Sequence, residues 1–113
     1  MKRIAVFGAC REGLEVYRSL YASSIISHEA VVFDFLDNDS RLRGTTYEGI
    51  PVYSPYDADL FVYDTIVIGI IAFERVQEQL VSLGVSTGKI KRYYSEAYFS
   101  DKARSVGMAK IGK

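Results

Sequence analysis

The sequence predicts an α/β fold: a small, doubly wound parallel sheet with helices on both faces. Two continuous apolar runs, Ile4 to Phe7 and Thr65 to Ile71 ("TIVIGII"), have the length and β-branched content of strands covered on both sides. Each is followed by apolar residues at helical spacing: Leu14, Tyr17, Leu20 and Tyr21 after the first, Phe73, Val76, Leu80 and Leu83 after the second. Strands that alternate with helices pair in parallel through right-handed crossovers. The expected strand order is 3-2-1-4-5.

The elements follow in chain order. The first helix is expected to weaken at Ser23-Ser24 and to end near there. Ala30 to Leu36 ("AVVFDFL") is rich in β-formers and reads as the second strand. Asp37-Asn38-Asp39-Ser40 is turn chemistry, and Arg41 to Gly49 is polar and irregular. Ile50 to Tyr53 suits a short edge strand, because an edge tolerates Pro51. Ser54-Pro55 looks like a helix cap and first turn, with room for a single turn before Asp64. Gly84 sits where the second helix should close. Lys89 to Tyr94 is a fifth strand, followed by weak helical character to about Val106.

With 113 residues, the chain has room for one domain with a real core, not two. Apolar residues make up 49% and charged residues 25%, a globular composition. The formal net charge of zero gives no call for nucleic acid or an anionic membrane. From Lys89 onward, however, seven Lys or Arg face only Glu96 and Asp101, so the last quarter is basic. That segment reads either as a solvated tail or as a contact for phosphate or an acidic partner. Cys10 is the lone cysteine, which rules out an internal disulfide and fits a reducing cytoplasm. The apolar run after Met1-Lys2-Arg3 stops at Gly8, too short for export or for spanning a membrane.

The chemistry concentrates in the turn after the first strand, Gly8-Ala9-Cys10-Arg11-Glu12-Gly13. This is nearly the G-x-G-x-x-G turn that wraps a pyrophosphate at a helix N-terminus. Gly8 can make the tight turn and Gly13 can let the helix pack closely. Cys10 replaces the middle glycine and adds bulk. Glu12 repels an anion, whereas Arg11 can pair with one. Asp37 ends the second strand 24 residues after Gly13, where an acid accepts hydrogen bonds from ribose hydroxyls. It reads equally as an Asx-turn residue. Gly69 puts a bare backbone beside the same crevice, open to a nucleotide or to a neighbouring helix.

The stretches "IAVFGACREGLEVYRSL", "VVFDFLDNDSRLRGTTYEGIPVYSP" and "YDTIVIGI" together resemble the small Rossmann-like domain at the head of many bacterial polysaccharide-biosynthesis proteins. These include capsule-type nucleotide-sugar dehydratases and amino-sugar acyltransferases. The resemblance covers roughly Arg3 to Ser95. It implies a domain that binds a nucleotide, a nucleotide-sugar or a dinucleotide, or that has become scaffold. Cys10 departs from the pattern.

The other candidates carry less. Tyr98 and Lys102 have the Tyr-x-x-x-Lys spacing of short-chain dehydrogenases, but those enzymes need a longer chain around the substrate. His28 lies away from the crevice. Cys10 is either a small packed residue or a thiol activated by a helix N-terminus. Asp37, Asn38 and Asp39 lack the glycine and distal glutamate of a calcium loop. Tyr93, Tyr94, Tyr98 and Phe99 are either packing residues or an interface for a homodimer or a catalytic partner.

The sequence therefore predicts a Rossmann-like binding domain over 1–106 and a flexible tail over 107–113. Gly8, Ala9, Cys10, Arg11, Gly13, Asp37 and Gly69 are expected to hold a nucleotide such as NAD(P) or a UDP-sugar. Neither a catalytic group nor a metal site is expected. Two alternatives stay open: an NAD(P)-binding subunit of a sugar dehydratase or reductase, and a scaffold that only dimerises or docks.

Overall fold

The structure is a computed structural model, and it describes residues 1–92. Six strands form one sheet: β1 (Lys2–Phe7), β2 (Val31–Leu36), β3 (Thr46–Tyr47), β4 (Ile50–Tyr53), β5 (Thr65–Ile68) and β6 (Ile90–Arg92). Their order is β3-β4-β2-β1-β5-β6. All neighbouring pairs are parallel except β3 with β4. Two helices, α1 (Arg11–Ile26) and α2 (Phe73–Ser82), make crossovers from β1 to β2 and from β5 to β6.

The sheet departs from the expected five-strand order by gaining an edge strand. Thr46 pairs with Pro51 and Tyr47 with Ile50 across a two-residue loop. The loop residues Glu48 and Gly49 have φ of 50° and 81°, the left-handed pair that turns a tight hairpin. Glutamate is an unusual occupant of the first position, which is why the segment reads as irregular. Pro51 lies in β4, where β3 and β2 both pair with it, so the strand expected at the edge lies one place inside it.

β1 lies between β2 and β5, and its alternating side chains feed two cores. Ala5 and Phe7 join Leu36, Ile66, Ile68, Val76 and Leu80 on the α2 face. Ile4 and Val6 join Val16, Phe33, Phe35, Val52 and Val67 on the α1 face. A ladder of aromatic rings runs along the α1 face, with Tyr17 edge-on to Phe33 at 5.1 Å and Phe35 edge-on to Tyr47 at 5.5 Å.

α1 continues past the expected stop at Ser23-Ser24. The Ser24 hydroxyl donates to the Tyr21 carbonyl at 2.7 Å, so its polar group is satisfied within the helix rather than competing with it. Both helices end in the same device. After α2, Gly84 takes φ 99°, its N–H reaches the Val81 carbonyl, and the Val85 N–H reaches that of Leu80. After α1, His28 takes φ 57°, its N–H reaches Ile25, and the Glu29 N–H reaches Ser24. His28 is thus the helix terminator, in a conformation that strains a residue with a Cβ. His28→Gly is expected to raise stability by about 1 kcal/mol, read as a higher thermal midpoint.

One further strand limit differs from expectation. β5 ends at Ile68, and Gly69 to Ala72 form the bend that launches α2. β6 is described over Ile90–Arg92, and Tyr93 and Tyr94 of the expected fifth strand lie outside the described residues. The expected Tyr93–Phe99 interface, the Tyr98/Lys102 pair and the tail over 107–113 lie outside the described residues. Ser54 to Ala58 make a hydrogen-bonded turn, and a short 3-10 helix (Leu60–Val62) follows, capped by the Asp59 carboxylate on the Phe61 N–H.

Candidate functional site

The carboxyl ends of β1, β2 and β5 bring the sequence-predicted residues to one end of the sheet. The loop is fixed first by its glycines. Gly8 takes φ 120°, and its N–H donates to the Leu36 carbonyl at 2.8 Å, tying the turn to β2. A Cβ on Gly8 would lie 2.7 Å from Ile70 Cγ2, so the β5–α2 connection sits directly over the turn. A Cβ on Gly13 would overlap the Gly8 carbonyl oxygen. The first turn of α1 therefore packs against loop backbone with no room for a side chain, as close helix–strand packing in this motif requires.

Cys10 is the N-cap of α1, with φ −151° and ψ −178°. That is extended backbone open to any residue, so losing the middle glycine causes no strain. Its carbonyl accepts the first helical bond, from the Leu14 N–H at 2.8 Å. The sulfur packs down toward Gly8 and is half-buried. Burial pushes the thiol above its ordinary value; the Glu12 carboxylate adds to this, and the Gly13 N–H opposes it. Cys10 is thus a half-buried, packed thiol, and its desolvation works against the activated-thiol reading. Iodoacetamide is expected to modify it several-fold more slowly than free cysteine at pH 8, because the thiolate is the reacting form.

Asp37 reaches back over the loop. Its Oδ2 accepts from the Ala9 N–H at 2.9 Å, and its Oδ1 accepts from the Asp39 N–H at 2.8 Å. The Asx-turn reading is therefore present in the geometry, along with a second bond that staples the β2 loop to the glycine turn. A carboxylate offers about four lone-pair directions, and these bonds use two. The remaining two can accept from a vicinal diol. Ala9 is buried beneath this contact and Gly69 is buried at the end of β5, while Arg11 is exposed at the first position of α1.

The residues after Asp37 are also fixed. Asp39 holds Arg41 in a fork, with Nε at 3.0 Å and Nη2 at 2.8 Å, and the Asp39 carboxyl is held below its ordinary range by that guanidinium. Asn38 and Gln79 form a reciprocal amide pair at 2.9 and 2.8 Å, joining the β2 loop to α2.

A second polar group, missed in the sequence, lies on the α2 face. Asp34 is buried in the middle of β2 and accepts from the Tyr63 hydroxyl at 2.8 Å and from Arg3 Nη2 at 3.4 Å. The three line a shallow cavity of about 270 Å³ with Tyr53, Asp57 and Asp59. The signal was one acid inside an otherwise apolar strand, "VVFDFL". Among the described residues no cluster of His, Cys, Asp or Glu suits a metal ion. No described helix is long and apolar enough to cross a membrane.

A mostly parallel sheet, a glycine turn opening onto a helix and an acid closing the adjacent strand define a Rossmann-like domain. Within that class, the chain belongs to the C2185-like N-terminal domain family, whose model matches residues 1–91. Solved structures share the fold. A UDP-D-quinovosamine 4-dehydrogenase from Vibrio fischeri superposes with a TM-score of 0.62 at 18% identity, covering 89% of this chain and 84% of that one. A Rex-family repressor, RSP, gives a TM-score of 0.54 at 13% identity, covering 99% of this chain and 62% of the repressor. The same repressor solved with β-NAD+ and operator DNA gives 0.56 at 12% identity, covering 99% and 60%. No curated protein sequence matches the chain.

Proposed function

We propose that this domain binds a nucleotide, as NAD(H) or a UDP-sugar, and contributes binding rather than chemistry. In this reading it serves bacterial cell-surface polysaccharide biosynthesis in the cytoplasm, and its catalytic partner groups lie elsewhere. The observation that carries the reading is Asp37. Its carboxylate is anchored to the Ala9 N–H above the α1 N-terminus and keeps two acceptor directions for a ribose. The dehydrogenase and the NAD-bound repressor supply analogies on the same fold.

Charge selects among dinucleotides. A ribose 2′-phosphate would meet the Asp37 carboxylate, and the nearby Arg41 is already neutralised by Asp39. NAD is therefore expected to bind at least ten-fold tighter than NADP, as acids at this position favour a free 2′-hydroxyl.

The test is a calorimetric and thermal-shift panel of NAD(H), NADP(H), UDP and UDP-sugars. A ligand present at 100 times its Kd should stabilise the fold by about 2.7 kcal/mol. Asp37→Asn keeps the shape and removes the charge, and should weaken that ligand by about 1–3 kcal/mol. Cys10→Gly with Glu12→Gln should tighten it, by removing bulk and negative charge at the anion site. Silence from the whole panel at millimolar concentration, in wild type and double variant alike, would sink the binding reading in favour of a scaffold.

A further inference from the structure

The Asn38–Gln79 pair stands apart from the turn in which Asn38 sits. In a β2 loop of Asp-Asn-Asp-Ser, an asparagine is expected to bond its own backbone. Here that work is done on either side. Asp37 accepts from the Asp39 N–H, and Asp39 accepts from the Arg41 N–H. The Asn38 amide is thereby released from turn-making, and it reaches 41 positions along the chain to Gln79 on α2. The pair is exposed, so neither amide is held there by a need to escape desolvation.

Its place follows from the order of groups along the crevice. A phosphate belongs at the α1 N-terminus and a ribose at Asp37. The next side chain outward is Asn38. The β5–α2 connection, whose Ile70 lies over the glycine turn, carries Ile71, an apolar side chain that is 59% exposed. A primary amide places one donor beside one acceptor. That pattern is complementary to the donor–acceptor edges of nucleobases, as in the bidentate pairing of asparagine with adenine. Two amides that pair with each other offer the same pattern to themselves.

We propose that Asn38 reads the base of the bound nucleotide, and that Gln79 is the stand-in that occupies the Asn38 amide until the base replaces it. This rests on the nucleotide-binding reading and extends it to a residue that determines base specificity. The exchange conserves hydrogen bonds: two amide–amide bonds are given up, two amide–base bonds form, and Gln79 turns to water. The two residues are therefore not equivalent. Asn38 makes the contact, whereas Gln79 competes with the ligand.

The experiment measures binding of ADP, GDP and inorganic pyrophosphate by calorimetry. Asn38→Ala should weaken ADP about ten-fold and leave pyrophosphate unchanged. Gln79→Ala should leave ADP equal to wild type or a few-fold tighter. Asn38→Asp replaces the donor–acceptor pair with a group that only accepts, which suits the adjacent N–H donors of guanine. The GDP-to-ADP affinity ratio should then rise about ten-fold or more, and because the added charge repels both ligands alike, the ratio isolates base recognition. If Asn38→Ala weakens pyrophosphate as much as ADP, or if the ratio does not move in Asn38→Asp, the amide pair is a structural tie and the proposal fails while nucleotide binding stands. If wild type binds neither ADP nor pyrophosphate, the base-reading proposal fails, and the nucleotide-binding reading falls with it only if UDP and UDP-sugars are silent as well.

Discussion

Gly13→Ala is expected to produce the largest loss of stability of any single methyl group added to this protein. The added Cβ would overlap the Gly8 carbonyl oxygen and crowd the Gly8 carbonyl carbon at 2.9 Å. These are backbone atoms, and no rotamer change can clear them. The Gly8 carbonyl cannot swing aside either, because the Gly8 N–H is tied to Leu36 and its Cα faces Ile70. The remaining escape is to move the start of α1 off the sheet. That would pull Val16, 1% exposed, out of the α1-face core. Overpacking that cannot relax costs on the order of 3 kcal/mol or more. In a domain of this size that corresponds to a thermal midpoint lower by about 12 °C or more. Circular dichroism melts of the two proteins decide it: a midpoint within about 3 °C of wild type would mean that the loop yields and that Gly13 is dispensable. The same displacement would carry the helix N-terminus away from the phosphate position, so any nucleotide affinity should fall with it.

How much of this was legible in the sequence depended on whether the deciding interaction was local. β1 and β5 could be read because a strand flanked by strands and covered on both faces is a near-continuous apolar run, and that pattern is local. Gly84 could be read because glycine at a helix end has a backbone reason to be there. His28 performs the same task after α1 and could not be read, since histidine pays for the left-handed conformation rather than advertising it. The β3–β4 hairpin was hidden in the same way by Glu48. Asp37 was seen as a choice between turn and ligand contact. The structure shows the turn bond and a second bond to the Ala9 N–H, and a carboxylate's further acceptor capacity leaves the ligand reading compatible with both. Gln79 carried no signal, because its partner lies on another element and only the folded chain brings them together. The residue order of the glycine loop was informative about geometry through Gly8 and Gly13. At Cys10 it signalled added bulk, and it did not reveal that the extended backbone there needs no glycine.

The second large effect concerns Asp34, the acid that interrupts β2. It is 4% exposed on a strand whose other α2-face neighbours are apolar. Burial of a carboxylate is unfavourable unless it is paired and hydrogen-bonded. Tyr63, itself 3% exposed, donates to Asp34 Oδ2 at 2.8 Å, and Arg3 approaches the same oxygen at the longer 3.4 Å. Tyr63→Phe keeps the ring beneath the Arg3 guanidinium, 5.8 Å from its centroid, and removes only the shorter bond. The carboxylate oxygen then depends on the long contact alone, and the expected cost at pH 7 is about 1–3 kcal/mol. The pH dependence separates this from a packing defect. Burial first, and the Asp34 carboxylate next, push the Tyr63 hydroxyl well above its ordinary value of 10.0. The folded state therefore holds that proton more tightly than the unfolded state does. The stabilisation is fully present below about pH 10, where both states are protonated, and is lost as pH rises above it, where the unfolded chain gains by ionising. Phenylalanine has no proton to lose. Urea denaturation of wild type and Tyr63→Phe between pH 7 and 11 should thus give a stability gap that is widest at pH 7 to 9 and narrows as the solution becomes alkaline. Two curves that stay parallel across that range would show that the phenol proton is not held by Asp34, and the Arg3–Asp34–Tyr63 cluster would lose its role in the fold.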